Sequence, residues 1–194
     1  MIKILFVCHG NICRSTMAEF VLKDLAEKAG LTAADNLSYE DDAYVRRGGG
    51  IPKDALLRAE EAGCDLYIAS AATSREEIGN GPHPGTRRLL SEHGIGCAGK
   101  RARQMTKQDY EDFDLIICMD RQNLRNMRRF TDDDPEGKVH LMMEYAGYGK
   151  RRKDGTVDTD TVPDVADPWW TGDYETTWQD IYPACEKLLE EIRA

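Results

Sequence analysis

One stretch near the start constrains the chain more than any other. Ile2 to Cys8 (Ile-Lys-Ile-Leu-Phe-Val-Cys) is short, β-branched and nearly all apolar, and His9-Gly10-Asn11-Ile12-Cys13-Arg14-Ser15 follows it directly. A continuous apolar run of that length fits a strand covered on both faces, as in a parallel sheet. Beyond the turn, Met17, Phe20, Val21, Leu22, Leu25 and Ala29 recur at helical spacing, and Gly30 can stop the helix. In an open α/β sheet, the turn between such a strand and such a helix lies beyond the strand's carboxyl end, where ligands bind.

The rest of the chain repeats the alternation. Leu66 to Ser70, Phe113 to Met119 and Val139 to Met142 read as strands. Pro52 to Ala62, Gly85 to His93 (closed by Gly94), Arg121 to Phe130 and Asp173 to Arg193 read as helices. The last of these carries Trp178, Ile181, Tyr182, Cys185, Leu188, Leu189 and Ile192. Strands alternating with helices predict an α/β fold around a parallel sheet. Two stretches read as connections. Residues 33–63 hold the acidic Glu40-Asp41-Asp42 and then Arg46-Arg47-Gly48-Gly49-Gly50, and the polar stretch 148–165 begins near Arg151-Arg152-Lys153. There is no internal repeat, and 194 residues suit one domain over 1–194 with these two extended connections.

Composition removes several classes. The net charge of −9 argues against a dedicated nucleic-acid or anionic-membrane binder, both of which need basic surface. Six Cys at irregular spacings do not resemble a disulfide scaffold. The early apolar run, Ile4 to Cys8, is too short for a signal peptide's core or a membrane span. The expectation is a soluble protein of a reducing compartment, the cytoplasm. The charge is uneven: residues 1–153 carry 24 Lys+Arg and 24 Asp+Glu, whereas residues 154–194 carry 2 and 11, so the whole excess lies in the last 41 residues.

The turn after the first strand carries chemistry. The start of a helix offers N–H groups and a positive dipole end to an anion. Gly10 and Asn11 can adopt the positive φ that lets successive N–H groups converge. Arg14 adds a planar fork matched to two phosphate oxygens. The field that attracts a phosphate also favours a thiolate at Cys8, and a thiolate beneath a phosphoryl group is a nucleophile. Ser15 can donate a hydrogen bond to that sulfur.

Val-Cys-His-Gly-Asn-Ile-Cys-Arg-Ser-Thr-Met-Ala-Glu, from Val7 to Glu19, resembles the signature loop of the low-molecular-weight protein tyrosine phosphatases. The resemblance continues, in order, through Ser70-Ala71-Ala72-Thr73-Ser74, Glu92-His93-Gly94-Ile95, Ala102-Arg103-Gln104-Met105-Thr106, Cys118-Met119-Asp120 and Asp167-Pro168-Trp169-Trp170. It implies a three-layer α/β fold with a four-stranded parallel sheet of order 2-1-3-4, phosphotyrosine-phosphatase I-like, and helices on both faces. It also implies hydrolysis of phosphotyrosine and small aryl phosphates through a phosphocysteine. Cys8 would be the nucleophile, Arg14 and the loop from His9 through Gly10, Asn11, Ile12 and Cys13 the phosphate cradle, and Asp167 the general acid. Asn11 would hold the loop's backbone with Ser70 and His93 as partners, and Ser15 would serve the sulfur. Trp169 and Trp170 would wall the ring pocket, with His9 and Glu76 at its mouth. In that family the cysteine matching Cys13 can form a disulfide with the nucleophile. The partner implied is a phosphotyrosine protein or aryl phosphate, with no cofactor, metal, nucleic acid or membrane, and a monomer with at most weak self-association.

The chain departs from the family pattern at His9 and Glu76, where apolar or aromatic residues are common, at Thr16, where Pro is common, and in the long 33–63 connection. That connection is expected to act as a lid or docking element. Asp158, Asp160, Asp164 and Asp173 surround Asp167 in sequence, and neighbouring negative charge would favour its protonated form. Two other readings use the same features. Arsenate reduction needs a relay of further thiols near the cleft, and Cys64, Cys97, Cys118 and Cys185 are scattered. A non-catalytic phosphotyrosine-binding module would lack Cys8, Arg14 or Asp167, and all are present. No Cys-x-x-Cys or His-Glu-x-x-His suggests a metal.

Overall fold

The computed structural model describes residues 1–35 and 50–194. In chain order the elements are β1 (Ile2–Cys8), α1 (Arg14–Lys28), α2 (Lys53–Glu61), β2 (Leu66–Ala72), α3 (Pro84–Glu92), α4 (Lys107–Asp112), β3 (Leu115–Cys118), α5 (Arg121–Thr131), β4 (Val139–Leu141), α6 (Met142–Tyr145), β5 (Lys150–Arg151), β6 (Val157–Asp158), α7 (Pro168–Thr171) and α8 (Tyr174–Arg193). The expected elements are present, with ends displaced by a residue or two. β1 to β4 form one parallel sheet of order β2-β1-β3-β4, as the resemblance implied.

Burial explains why the strands read as unbroken apolar runs. Ile4 to Cys8 and all of Leu66 to Ala72 are buried, so successive side chains find cover on both faces of the sheet. Helix α1 packs on β1 and β2 and against α8, while α5 packs on β3 and β4. The register matters for the site. Cys8 lies opposite Ala72 of β2, and Val7 lies opposite Cys118 of β3. The carboxyl ends of three strands are therefore level, and the loops leaving them meet at one edge.

Gly30 ends α1 with a left-handed φ of +77°, as expected of a glycine in that place. The 148–165 connection is not a plain loop: β5 and β6 form an antiparallel hairpin, followed by a 3-10 turn at Thr159–Thr161. Residues 36–49 of the other connection lie outside the described residues. The expectation of a lid there, and the acidic and Arg-Arg-Gly-Gly patches within it, fall mostly on those positions.

Helix α3 reaches α8 through a close contact at Gly85. A Cβ on Gly85 would lie 2.3 Å from Cε2 and Cζ of Tyr174, whose ring is already stacked on His83. Gly85→Ala is expected to lower stability by about 1–3 kcal/mol through overpacking, read as a fall in the urea midpoint. An unchanged midpoint would contradict so close an approach.

Candidate active site

The loop from Cys8 to Ser15 wraps a buried sulfur. Cys8 ends β1, and Arg14 begins α1. Between them Asn11 takes a φ of +57°, a left-handed conformation that asparagine tolerates better than most residues. The sequence assigned positive φ to Gly10 as well, and that is corrected: Gly10 is not among the residues with positive φ. A Cβ there would lie 3.2 Å from Cγ of Glu77, a tight contact that the glutamate side chain would have to relieve. The backbone N–H of Asn11 donates to Cys8 Sγ at 3.2 Å, and Ser15 Oγ lies 3.1 Å from the same sulfur. The Thr16 hydroxyl donates to the Asn11 carbonyl at 2.9 Å and closes the loop behind it.

The Asn11 side chain is fully engaged. Its Nδ2 donates to Ser15 Oγ at 2.9 Å and to Ser70 Oγ at 2.7 Å, and its Oδ1 accepts from the backbone N–H of Arg103 at 3.2 Å. Ser70 is thus the partner expected of it. His93 is not: it sits at the C-terminal end of α3 and stacks on Trp178, ring centroids 3.7 Å apart. The hydrogen bonds of that amide run to two serines and from the Arg103 backbone, and none involves an imidazole. The histidine beside the loop is His83, whose backbone N–H donates to the Ile12 carbonyl at 2.9 Å. Its ring meets Trp169 edge-on and bonds the Tyr174 hydroxyl.

Arg14 is buried between two carboxylates. Nη1 donates to Asp120 Oδ2 at 2.7 Å and Nη2 to Asp167 Oδ2 at 2.8 Å. Burial works against the guanidinium charge, but Cys8, Asp120 and Asp167 outweigh it and raise the Arg14 pKa above its ordinary value. Asp120 appeared in the sequence only within the Cys118-Met119-Asp120 match, with no role of its own. It caps α5, accepting from the Asn123 N–H through Oδ1, while Oδ2 holds Arg14. Asp167 likewise caps α7 through Oδ1, at 3.1 Å from the Trp169 N–H.

Three of the four aspartates expected to bear on Asp167 have partners of their own. Asp164 accepts from Arg121 and Asp158 from Arg152, so each is matched by its own cation. Asp173 caps α8, and the Thr176 side chain and backbone lower its pKa. The charge placed directly against Asp167 is the positive one of Arg14.

These groups open into a cavity of about 430 Å³. Cys8, Gly10, Ile12, Cys13 and Arg14 line it from the loop, Asp120 and Asn123 from the start of α5, and Asp167, Trp169 and Trp170 from the opposite wall. Trp170 is 81% exposed and Trp169 56%. At the mouth, His9 Nε2 and Glu76 Oε2 approach to 3.0 Å, with Glu77 beside them. Two of the residues that depart from the family pattern therefore engage each other. Cys13 faces the same cavity, and its pKa is pushed up to about 12, by burial first and then by the charge of Cys8. Cys97, Cys118 and Cys185 are buried with raised pKa values, burial being the main cause in each. No thiol beyond Cys8 and Cys13 lines the cleft, which disfavours a thiol relay.

Residues 3–38 and 55–194 match the family model for low molecular weight phosphotyrosine protein phosphatase. The low molecular weight protein-tyrosine-phosphatase YfkJ of Bacillus subtilis is 34% identical over 193 residues, covering 100% of this chain and 97% of that protein. Its crystal structure matches with a TM-score of 0.71, covering 100% of this chain and 95% of that one. The low molecular weight phosphotyrosine protein phosphatase of Gallus gallus is 30% identical over 192 residues, with 97% and 94% covered. The structure of a Drosophila arginine phosphatase matches at 26% identity and a TM-score of 0.69, with 100% and 99% covered. With the family model spanning nearly all of it, the chain belongs to the low molecular weight phosphotyrosine protein phosphatase family.

Proposed function

We propose that the protein hydrolyses phosphotyrosine and small aryl phosphates, with Cys8, Arg14 and Asp167 as the reacting and stabilising groups. One observation carries the reading: a sulfur and a guanidinium from one loop and a carboxylate from a distant part of the chain converge on one cavity, with a serine hydroxyl 3.1 Å from the sulfur. In the first step Cys8 Sγ attacks phosphorus, the P–O bond to the phenol breaks, and the Asp167 carboxyl gives its proton to the departing oxygen. In the second, water gives a proton to the Asp167 carboxylate and attacks the phosphocysteine. The S–P bond breaks and the thiolate returns, received by the Ser15 hydroxyl. Arg14 and the loop N–H groups hold the equatorial oxygens, whose charge must be stabilised throughout.

The apolar side of Ile12 and the two tryptophans suit the faces of a phenyl ring. Phosphoserine is too short to carry its phosphorus to a sulfur at the floor of this slot. A phosphotyrosine peptide is expected to turn over roughly 100-fold or more faster than its phosphoserine counterpart, since small misplacements of reacting atoms cost rates of that order. Comparable kcat/KM values for the two would overturn the reading. A second reading, phosphoarginine, draws on the rim carboxylates Glu76 and Glu77, which could face a guanidinium beside the tryptophans. A phosphoarginine peptide preferred over the phosphotyrosine one in the same assay would favour it.

A further inference from the structure

The mouth of the cavity carries charges that the two-step chemistry does not use. β1 lies between β2 and β3 in the sheet, so the loop after β2 and the helix after β3 flank the nucleophile loop from two sides. The β2 side brings Glu76 and Glu77 to the mouth, and the β3 side brings Gln122 of α5. Glu76 meets His9, and Glu77 accepts from Asn80 Nδ2 at 2.7 Å, so among the described residues neither is matched by a lysine or an arginine. Arg75, their neighbour in the chain, bonds Gln104 Oε1 instead.

Helix α5 carries four arginines, and three are spent. Arg121 pairs with Asp164 and Arg128 with Asp133, while Arg129 donates to the Thr73 carbonyl and lies over the Phe130 ring. Arg125 meets only a neutral amide: its Nη2 donates to Gln122 Oε1 at 2.8 Å. Gln122 is pinned from its other end as well, since its Nε2 donates to Asn126 Oδ1 at 3.0 Å. Residues three and four apart share a helix face, so 122, 125, 126 and 129 form one strip. Gln122 at its start lines the cavity, and Arg129 at its end reaches Thr73 just past β2. Arg125 lies between them, beside the way into the cavity and about 4.5 Å along the helix from Gln122. Its charge is therefore placed, exposed and without a carboxylate among the described residues.

We propose that Arg125 is a specificity-determining residue that receives an acidic side chain next to the phosphotyrosine, on one side of it only. The proposal rests on the phosphotyrosine reading and names the peptide class that reading leaves open. An extended peptide advances about 3.3 Å per residue, so a side chain one or two positions from the phosphotyrosine spans the offset from the cavity to Arg125. Glu76 and Glu77 repel the same carboxylate on the other side of the mouth, and the two effects together set the direction in which the peptide lies. The chain's net charge of −9 does not cancel this. Its excess lies in the last 41 residues, and charges farther off than about 8 Å are largely screened at physiological salt.

Three phosphotyrosine peptides of equal length test it, with glutamates before the phosphotyrosine, with glutamates after it, or with glutamines in both places, beside a small aryl phosphate. One of the two acidic peptides is expected to exceed the glutamine peptide in kcat/KM by about three- to fivefold, the scale of one exposed ion pair. The gain should come through KM, and it should fade towards about 1 M salt, where the screening length is about 3 Å. Arg125→Met should abolish the gain and Arg125→Glu turn it into a loss, with the aryl phosphate unchanged in both. Met and Glu are good helix formers, so α5 is expected to persist. Equal rates for the three peptides in wild type, a gain that survives in Arg125→Met, or an equal fall on the aryl phosphate would each overturn the proposal. Failure of the phosphatase reading would look different: wild type would turn over no phosphotyrosine peptide faster than Cys8→Ser, whereas a flat peptide panel in an active wild type overturns only the role of Arg125.

Discussion

Replacing Cys8 by serine is expected to abolish turnover of an aryl phosphate, by at least about 10⁴-fold, as loss of a nucleophile that acts with its neighbours does. A serine hydroxyl keeps the place and nearly the size of the thiol. The Asn11 N–H and the Ser15 hydroxyl would still find an oxygen to bond. No base in the site takes a hydroxyl proton: Ser15 is itself a hydroxyl, and Asp167 lies on Arg14. Binding is expected to survive, because Arg14 and the loop amides are untouched. The emission of Trp169 and Trp170, which line the cavity, provides the readout for titration with a phosphotyrosine peptide. Turnover near that of wild type would sink the mechanism. Loss of both turnover and binding, with the fold intact, would mean that the sulfur shapes the anion site and not only the reaction.

Asp167→Asn is expected to lower kcat by about 10²–10⁴-fold, the usual worth of a placed general acid. The loss should grow as the leaving phenol becomes more basic, since a good leaving group needs little proton help. The structure adds a second, opposite effect. In the free protein Asp167 holds Arg14 Nη2 at 2.8 Å, a place that a phosphate oxygen would take. Removing its charge should make inorganic phosphate a tighter inhibitor even as catalysis falls. A uniform loss across leaving groups, or weaker phosphate inhibition, would show that Asp167 serves binding and not proton transfer.

Local chemistry was legible and distant partnership was not. The strand, the loop and the start of α1 are contiguous, so their residue types and spacing carry the whole construction from Ile2 to Ser15. Asp167 was found through a motif and not through its charge. Asp120, Lys100 and His83 went unread because each meets its partner only after long connections close, and sequence spacing says nothing of which face a helix end presents. Glu19 sits between Ala18 and Phe20 in the first half of α1, yet by type alone a glutamate is assigned to the surface. Its complete burial follows from Lys100 and Ser70 arriving from elsewhere. His93 shows the converse. Its order along the chain fits the family, yet its ring lies flat on Trp178. The β5–β6 hairpin escaped because two-residue strands hold no periodicity to detect.

Asp120 divides its two oxygens between a helix and a guanidinium. The beginning of α5 and the grip on Arg14 are therefore inherited together. Most substitutions at this position would alter both at once, so neither trait can drift without the other being exposed to selection. Uncharged capping residues, asparagine first among them, are the exception: they can keep the cap while withdrawing the charge. A single nucleotide's worth of change at one residue, Asp to Asn, thus separates how firmly a helix starts from how tightly an anion is held.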